Sequence, residues 1–385
     1  MTDADTDALL RLQAVGGGAA TRRRLLDAFP SPCAAIGAGP PAWRQAGLDD
    51  AQIGALAHED AAALAPARAW LRQSGHRLVG WQDPDYPPQL RRIASPPLAL
   101  FVEGDPALLW HPSVAVVGSR SASAGGRDNA YAFARSLADA GFAVASGLAA
   151  GIDTAAHEGA LAAANGLTFA VLGTGPDLAY PRENAALRDR IAERGAIVSE
   201  HLPGTQARPS HFPGRNRILA GLSVGTLVAE AALRSGALIT ARQAADAGRE
   251  VFALPGSIHN PQARGCHQLI RDGAALVESP DEVIAAVIPV AARLAATLRN
   301  RLDAPSSGPS AASAAAATPA LLNDPDYQTL WTALGHDPTG MDRLADRTGL
   351  TAAELSSMLL VMELEGLVSN RHGRYTRKTL SPNAP

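Results

Sequence analysis

Arginines, glycines and other small residues that suit phosphate binding are concentrated between positions 199 and 257. Within this stretch the Pro-Gly pair of the segment 212–217, FPGRNR, predicts a turn that carries Arg215 and Arg217. Glycine lets the backbone approach a ligand closely, and guanidinium groups match phosphate oxygens in charge and geometry. The stretch has no Ser/His/Asp order, carboxylate pair or Cys/His cluster. It therefore predicts binding of a phosphate-bearing polymer rather than transformation of a substrate.

Small-residue loops also follow several apolar, strand-like runs earlier in the chain. In an open parallel sheet, ligands collect where the strands end, and the N-termini of the next helices attract anions. The residues predicted to line this rim are Gly118, Ser119, Ser146, Gly147, Gly173, Gly175 and Ser235. A dinucleotide fingerprint is not predicted, because Leu178 stands where a third glycine would follow Gly173 and Gly175.

Four arginines are predicted to form a positive patch at the same sheet edge. The formal net charge of −3 gives no overall attraction to nucleic acid, so any such binding needs a local patch. Tyr180 and Phe212 are placed to stack on bases, although each would equally serve as a core residue. The arginines are Arg120, Arg182, Arg215 and Arg217, with Asn184 and Asn216 beside them.

Composition and cysteine usage exclude several classes of protein. The 385 residues are 46% hydrophobic but only 4% aromatic, which predicts two or three domains packed mainly by aliphatic side chains. Cys33 and Cys266 lie far apart, which argues against a disulfide framework or a cysteine-rich zinc site. With no signal-peptide or membrane-spanning run, we expect a cytoplasmic protein. Asp153 and His157 lie one helical turn apart and are interpreted as a helix brace, so neither a metal nor a cofactor is expected.

Strand-like runs alternate with helix-forming stretches through the middle of the chain. Strands are predicted at 114–117, 142–145, 168–172, 196–199, 226–229, 250–254 and 274–277, with helices at 126–140 and 152–164. This alternation is typical of an α/β fold with a mostly parallel sheet covered on both faces.

Different patterns flank this α/β core, and four regions are predicted. Residues 1–80 read as a helical domain with a Gly-rich hairpin, 81–290 as the core, and 291–320 as an Ala/Ser/Pro-rich linker. Residues 321–385 read as a winged helix, with helices at 341–347 and 351–365 and a hairpin at 367–376.

The motifs, taken in order, resemble those of the DNA processing protein A family, DprA, also called Smf. The matching segments are VVGSR (116–120), SGLAAGID (146–153), LGTGPD (172–177), YPREN (180–184), FPGRNRI (212–218), SGALITA (235–241) and LPGS (254–257). The resemblance extends over about residues 80–290, and the flanking regions also look like those of the family.

This resemblance implies a Rossmann-like core between an N-terminal helical domain, of sterile-alpha-motif or helix-hairpin-helix type, and a C-terminal winged helix. It implies a non-catalytic homodimer that binds single-stranded DNA, protects incoming DNA and loads the RecA recombinase during natural transformation. The positions that match the DNA-contacting ones of the family are Arg120, Arg182 and 215–217. By the same resemblance, residues 265–272 and the strand after them are candidates for self-association.

Two departures from the family pattern concern the expected DNA contacts. Gly214 stands where many relatives have a basic residue, which predicts weaker phosphate binding by the segment 212–217. His267 replaces a frequent asparagine, and no role is predicted for it.

Two alternatives belong to other functional classes. The segment 225–230, GTLVAE, faintly resembles lysine-decarboxylase-like phosphoribohydrolases, which hydrolyse nucleotides, but their Pro-Gly-Gly-x-Gly-Thr loop is missing and Glu230 has no evident partner in the sequence. The C-terminal unit by itself favours a winged-helix transcription regulator.

Overall fold

The computed structural model describes residues 2–302 and, further along, 325–334, 339–351, 355, 358–359, 362, 368–371 and 374–377. The chain divides into two compact units, Met1–Ala304 and Pro305–Pro385. Among the described residues, no helix is both long and apolar enough to cross a membrane.

The first unit is built on a single large sheet. Its strands are β1 (His76–Gly80), β2 (Ala99–Gly104), β3 (Ser113–Gly118), β4 (Ala143–Ser146), β5 (Thr168–Leu172), β6 (Ala196–Ser199), β7 (Gly225–Glu230), β8 (Glu250–Ala253) and β9 (Ala275–Leu276). Its helices are α1 (Asp3–Ala14), α2 (Ala19–Asp27), α3 (Pro32–Gly37), α4 (Gly39–Gln45), α5 (Asp50–Ala57), α6 (Ala61–Leu71), α7 (Pro88–Arg91), α8 (Ala124–Asp139), α9 (Ile152–Ala162), α10 (Ala185–Arg194), α11 (His211–Leu222), α12 (Ala237–Asp246), α13 (Arg264–Arg271) and α14 (Pro280–Leu302).

The sheet has the strand order β1-β2-β6-β5-β4-β3-β7-β8-β9. Strands β3 to β9 run parallel, whereas β1 and β2 join one edge antiparallel. The chain winds from β3 towards β6 on one side and from β7 towards β9 on the other, so the direction of winding reverses between β3 and β7. The predicted mostly parallel α/β sheet is confirmed, and ligands of such sheets bind at this switch point.

Both faces of the sheet are covered by helices, which is why its central strands are continuously apolar. β5, with the sequence TFAVL, is buried at every position. Val114 and Val116 pack with α8, α9 and α14 on one face, while Ala115 and Val117 pack with α11, α12 and α13 on the other.

The N-terminal helices pack on the antiparallel edge of the sheet. Leu9 and Leu10 of α1 and Trp70 of α6 share a buried cluster with Leu78 of β1 and Phe101 of β2. Both antiparallel strands were absent from the sequence prediction, and β1 lies inside the region 1–80 that was predicted to be helical. With only five and six residues, these strands give a weak period-2 pattern.

The predicted linker, 291–320, begins too early, because α14 continues to Leu302. The reason is local: residues 291–302, AARLAATLRNRL, are mostly strong helix formers. The rest of the linker, 303–320, lies outside the described residues. The other predicted limits, which separate the helical domain 1–80 from the core and begin the winged helix at 321, stay a prediction.

The second unit contains α15 (Pro325–Leu334), α16 (Met341–Thr348) and the strands β10 (Thr339–Gly340), β11 (Val368–Arg371) and β12 (Arg374–Arg377). The three strands pair in the order β10-β12-β11, so the predicted hairpin is present. Of the predicted helix 351–365, residues 355, 358, 359 and 362 are helical, and most of the others lie outside the described part. The core of the second unit includes Leu330, Leu344, Leu359 and Val368.

Candidate nucleic-acid interface

An open cleft of about 450 Å³ lies at the switch point of the sheet, outside the carboxyl ends of β3 and β7. Loops after these strands and the first turns of α11 and α12 form its walls. The lining includes the predicted residues Gly118, Ser119, Arg120, Phe212, Arg215, Asn216 and Ser235. Parallel α/β sheets bind ligands at this position.

The floor of the cleft is formed where β3 and β7 end in close contact. A Cβ atom at Gly118 would lie 2.5 Å from Ile152 Cγ1 and 2.6 Å from the carbonyl oxygen of Glu230, so only glycine fits there. The Ser119 amide donates to that same carbonyl at 2.7 Å, and its hydroxyl donates to Gln262 Oε1 at 3.0 Å. These bonds fix the position of the loop that carries Arg120.

Glu230 holds the loops around the cleft together. Its carboxylate accepts hydrogen bonds from the Ser123 amide, the Ser123 hydroxyl and Asn260 Nδ2, each at 2.8 Å. Ser123 is the N-cap of α8, so the carboxylate also lies at the positive end of that helix. Although Glu230 had no evident partner in the sequence, in the structure it has three donors.

Arg120, Phe212 and Tyr180 form a continuous surface at the mouth of the cleft. The guanidinium carbon of Arg120 lies 4.9 Å from the centroid of the Phe212 ring. Tyr180, 44% exposed, lies next to that ring, with the two centroids 5.3 Å apart. Both aromatic rings are solvent-accessible, as base stacking would require, and neither belongs to the core clusters of the described residues.

A second cleft, of about 340 Å³, opens on the other side of Phe212 and is lined by Tyr180 and Arg208. Arg120, Phe212 and Pro213 line both clefts. The two clefts are therefore adjacent, with the Arg120–Phe212 pair between them, and together they are called the groove here.

The segment FPGRNR, predicted to be a turn, is instead the first half of helix α11. Pro213 lies in the first turn of this helix, where a backbone N–H has no intrahelical acceptor, so proline does not interrupt it. Because α11 is helical, Arg215 and Arg217 project from different sides of it.

Arg215 forms a buried part of the cleft wall, which corrects the expectation that it is presented to a ligand. Its side chain is 6% exposed, donates to the Val171 carbonyl and to Asn216 Oδ1, and lies 3.9 Å from Asp153 Oδ2. A Cβ atom on Gly147 would fall 2.0 Å from the guanidinium nitrogens, so this glycine makes room for Arg215. Burial raises the pKa of Asp153, while Arg215 acts to lower it.

Asp153 and His157 brace helix α9 from inside. The Asp153 carboxylate accepts the Gly147 amide at 3.1 Å, and His157 Nδ1 lies 2.7 Å from Thr168 Oγ1. Since the Thr168 hydroxyl donates to the Val144 carbonyl, His157 Nδ1 carries the proton. Burial and the charge of Arg215 lower the pKa of His157 to about 3. The described residues contain no group of three or more His, Cys, Asp or Glu that could hold a metal.

Arg217 and Arg182 do not line the groove, so the predicted patch of four arginines is wrong in its composition. Arg217 donates to Glu200 at 2.7 Å on another side of α11. Arg182 is exposed in a short 3₁₀ turn, Arg182–Asn184, outside both clefts. Asn184 is occupied in the same turn, since it donates to the Leu148 carbonyl at 2.9 Å.

Two arginines that the sequence prediction did not include occupy the groove instead. Arg234 lines the first cleft and Arg208 the second, and both are exposed. Neither forms an ion pair within 4.0 Å among the described residues. Arg234 directly precedes the Ser235-Gly236 loop, and this neighbour was the one signal that could have identified it.

The other predicted rim residues shape the groove from behind. Ser146 is fully buried and its hydroxyl donates to the Val116 carbonyl at 2.7 Å. A Cβ atom on Gly173 would lie 3.1 Å from Phe212 Cδ1, so this glycine forms the seat of the ring. The buried Gly175 donates its amide to the Thr205 carbonyl at 2.9 Å. These side chains and backbone groups do not reach either cleft.

The two departures from the family pattern occupy different places. Gly214 is exposed on α11 beside the groove, and a Cβ atom there would meet nothing within 4 Å. His267 Nε2 lies 3.0 Å from the Gly256 carbonyl and 3.3 Å from its amide nitrogen, and so connects α13 to the loop after β8.

Comparison with known proteins assigns the chain to a family. The family described as DNA recombination-mediator protein A matches residues 77–288, and the DprA winged helix domain matches residues 309–374. Protein Smf of Escherichia coli is 41% identical over 312 residues, covering 80% of this chain and 79% of that protein. DNA processing protein DprA of Streptococcus pneumoniae is 48% identical over 203 residues, covering 53% of this chain and 71% of that protein.

A solved structure gives the same result. The X-ray structure of DNA processing protein A from Streptococcus pneumoniae matches with a TM-score of 0.65 and 38% identity, covering 71% of this chain and 95% of that one. On the motifs, the fold and these matches, the chain belongs to the DprA/Smf family, the family of DNA recombination-mediator protein A.

Proposed function

We propose that this protein binds single-stranded DNA in the groove at the switch point of its sheet. The observation that carries the proposal is the Arg120–Phe212–Tyr180 surface, which combines a cation with two accessible rings in the groove. Aromatic stacking contributes roughly 1–3 kcal/mol per base in single-strand binders and tolerates any sequence. The name of a relative, DNA processing protein DprA of Streptococcus pneumoniae, supports DNA as the ligand.

The charge distribution of the groove also favours a phosphate-bearing strand. Arg120, Arg208 and Arg234 are exposed along it in a chain whose formal net charge is −3. Acidic residues are scarce here: of the residues that line the two clefts, only Asp153 is acidic, and Arg215 lies against it. Attraction of a polyanion is therefore local to the groove.

A single strand fits this surface better than a duplex does. Stacked base pairs hide their π-faces inside the duplex, whereas a single strand presents them to protein rings. The exposed Tyr180 ring, inclined at 43° to that of Phe212, would offer a stacking face to an unpaired base beside the cation of Arg120.

The biological role in this proposal is that of a recombination mediator in the cytoplasm. The protein would protect incoming single strands and load the RecA recombinase onto them during natural transformation. The description of the matching family supports this role, and the groove supplies a surface from which a strand is passed to a partner that performs the chemistry.

A homodimer is part of the same proposal, with β9 at its interface. β9 is the edge strand of the sheet, and such edges pair readily with a second chain. Leu276 on this strand is 46% exposed, and Ile258 in the loop after β8 is 74% exposed. Helix α13, predicted to contribute to self-association, lies next to β8.

The nucleotide-hydrolysing alternative has less support. It depends on Glu230 as the acidic residue, and this carboxylate is occupied by three protein donors. Glu230 also does not belong to the lining of either cleft. We therefore propose a protein without catalytic activity. Incubation with nucleoside monophosphates tests this, since release of free base would contradict it.

The experiment that tests the proposed function compares single- and double-stranded oligonucleotides of one sequence. The wild-type protein should bind the single strand more tightly, and a double variant, Arg120→Ala with Arg234→Ala, should lose most of that affinity. Arg135→Ala with Arg190→Ala, at exposed positions on α8 and α10, is the matched control and also removes two charges. Equal affinity of the double variant and the control would overturn the assignment of the groove.

A further inference from the structure

A second group of arginines lies where α2, α7 and α11 meet, outside both clefts. Arg91 and Arg92 are exposed, and Arg23 is half-buried. None of these three forms an ion pair within 4.0 Å in the part of the chain that the structure describes. Together with Arg217 and Arg249 they are called the α7 arginine patch here.

The arginines of this patch are near enough to one another for their charges to add. Arg217 lies within electrostatic reach of Arg23, and Arg92 within reach of Arg249. The nearby carboxylates are Asp27 and Glu200. Of the five arginines, only Arg217 forms an ion pair among the described residues, with Glu200, so a local positive excess remains at the patch.

Aromatic rings hold two of these guanidinium groups in place. The guanidinium carbon of Arg91 lies 4.4 Å from the centroid of the Trp81 ring and 4.9 Å from that of Tyr86. Arg23 lies 5.4 Å from the same Trp81 ring. Trp81 is itself fixed, because its Nε1 donates to Asp27 Oδ1 at 2.6 Å. The cations are therefore ordered before any partner binds.

Helix α11 connects this patch to the groove. Its first turn carries Phe212, and its last turn packs on α7, where a Cβ atom on Gly221 would lie 2.9 Å from Leu90 Cδ1. The 12 residues of α11 correspond to a length of about 18 Å, with Arg217 between the two ends. At a spacing of about 3.4 Å, roughly five nucleotides span this distance.

We propose that the α7 arginine patch is a second contact surface for single-stranded DNA, occupied by the part of the strand that leaves the groove. This inference rests on the proposed single-strand binding. Guanidinium groups stacked on rings offer N–H edges to phosphates and flat faces to bases. An acidic protein segment would use only the charge, so the stacked Arg91–Trp81 pair favours nucleic acid as the partner.

The test uses oligonucleotides of two lengths, about 4 and about 30 nucleotides, so that only the longer one reaches from the groove to the patch. The variant is Arg91→Gln with Arg92→Gln, in the full-length chain. Arg92→Gln alone serves as a second variant that removes no described hydrogen bond. The control, Arg135→Gln with Arg190→Gln, removes the same charge from exposed positions on α8 and α10.

We expect the double variant to bind the long strand on the order of 10-fold more weakly and the short strand with unchanged affinity. The dependence of log affinity on log salt should fall by about 1.4 for the long strand, from roughly 0.7 for each lost phosphate contact. The control should match the wild-type protein with both lengths.

Three other results would overturn the inference. Unchanged binding of the long strand would exclude a contact at the patch, and equal weakening with both lengths would make the patch part of the groove site. Loss of binding to polyglutamate, with long-strand affinity intact, would indicate an acidic protein partner. The variant Arg120→Ala separates this inference from the proposed function. If Arg120→Ala leaves the affinity for both lengths unchanged while the patch variant weakens binding of the long strand, the assignment of the groove is wrong and that of the patch stands.

Discussion

The guanidinium of Arg120 lies against the ring of Phe212, with its carbon 4.9 Å from the ring centroid. This pair lines both clefts of the groove at the switch point of the sheet. Gly173 leaves space for the ring from below, and Ser119 fixes the loop that carries the arginine. The binding surface is thus assembled from the ends of β3 and β5 and the first turn of α11.

Replacing Phe212 with alanine should weaken binding of single-stranded oligonucleotides by about 1–3 kcal/mol, because one stacking face is lost. Arg120 would also lose the ring that orders it. Phe212→Tyr keeps the ring and should bind within a small factor of the wild-type protein. Fluorescence anisotropy with labelled oligonucleotides measures both variants. If alanine and tyrosine at this position bind equally well, Phe212 is not a stacking residue.

Asp153→Ala should destabilise the protein by about 3–5 kcal/mol, since it leaves the buried charge of Arg215 without its carboxylate. Denaturation with urea gives the free energy of unfolding. Below the unfolding transition, the folded variant should retain an intact Arg120–Phe212 surface and bind single strands. A stable variant that has lost DNA binding would instead place Asp153 in direct contact with the ligand.

His157 should make the protein less stable at mildly acidic pH. Its pKa is lowered from 6.5 to about 3 in the folded state, so folding requires the neutral ring. This contribution is complete above pH 6.5 and is lost as the pH falls towards 3, on the order of 2 kcal/mol at pH 5. His157→Asn preserves an N–H donor near Thr168 but does not titrate.

Urea denaturation of wild-type and His157→Asn proteins at pH 7.5 and pH 5 isolates this effect. As the pH is lowered from 7.5 to 5, the free energy of unfolding should decrease more in the wild-type protein than in the variant. Parallel pH profiles would show that His157 is not responsible.

Leu276→Glu should convert the proposed dimer into a monomer, because it places a charge at the exposed edge strand. Light scattering at several protein concentrations measures the mass. Ile288→Glu, at a position on α14 that is 52% exposed, is the matched control and should leave the mass unchanged. A Leu276→Glu protein that remains dimeric would place the interface elsewhere.

The parallel core was predictable because its strands are buried on both faces and appear as short apolar runs ending in small residues. β5 and β6 were predicted at their observed limits, 168–172 and 196–199. The antiparallel strands β1 and β2 were missed, since their positions depend on packing against α1, which is distant in sequence. The strand propensity of the residues and the period of the hydrophobic pattern contain no information on such tertiary contacts.

The sequence predicted where the site lies better than it predicted which residues form it. Arg120, Phe212 and Ser235 follow strand ends or adjoin them, and the structure brings them together. Arg215 was misplaced because the Pro-Gly pair was interpreted as a turn, whereas proline is well tolerated in the first turn of a helix. Burial of a guanidinium against Asp153 has no local signature, and it arises only once α9 and α11 pack together.

The measurement that tests the central claim most directly is the salt dependence of single-strand binding by wild-type and Arg120→Ala proteins. We expect log affinity to fall linearly with log salt in both, with the slope of the variant smaller by about 0.7, the value for one phosphate contact. The affinity of Arg120→Ala should also be lower at every salt concentration. Identical slopes and affinities for the two proteins would contradict the assignment of the groove as the DNA-binding site.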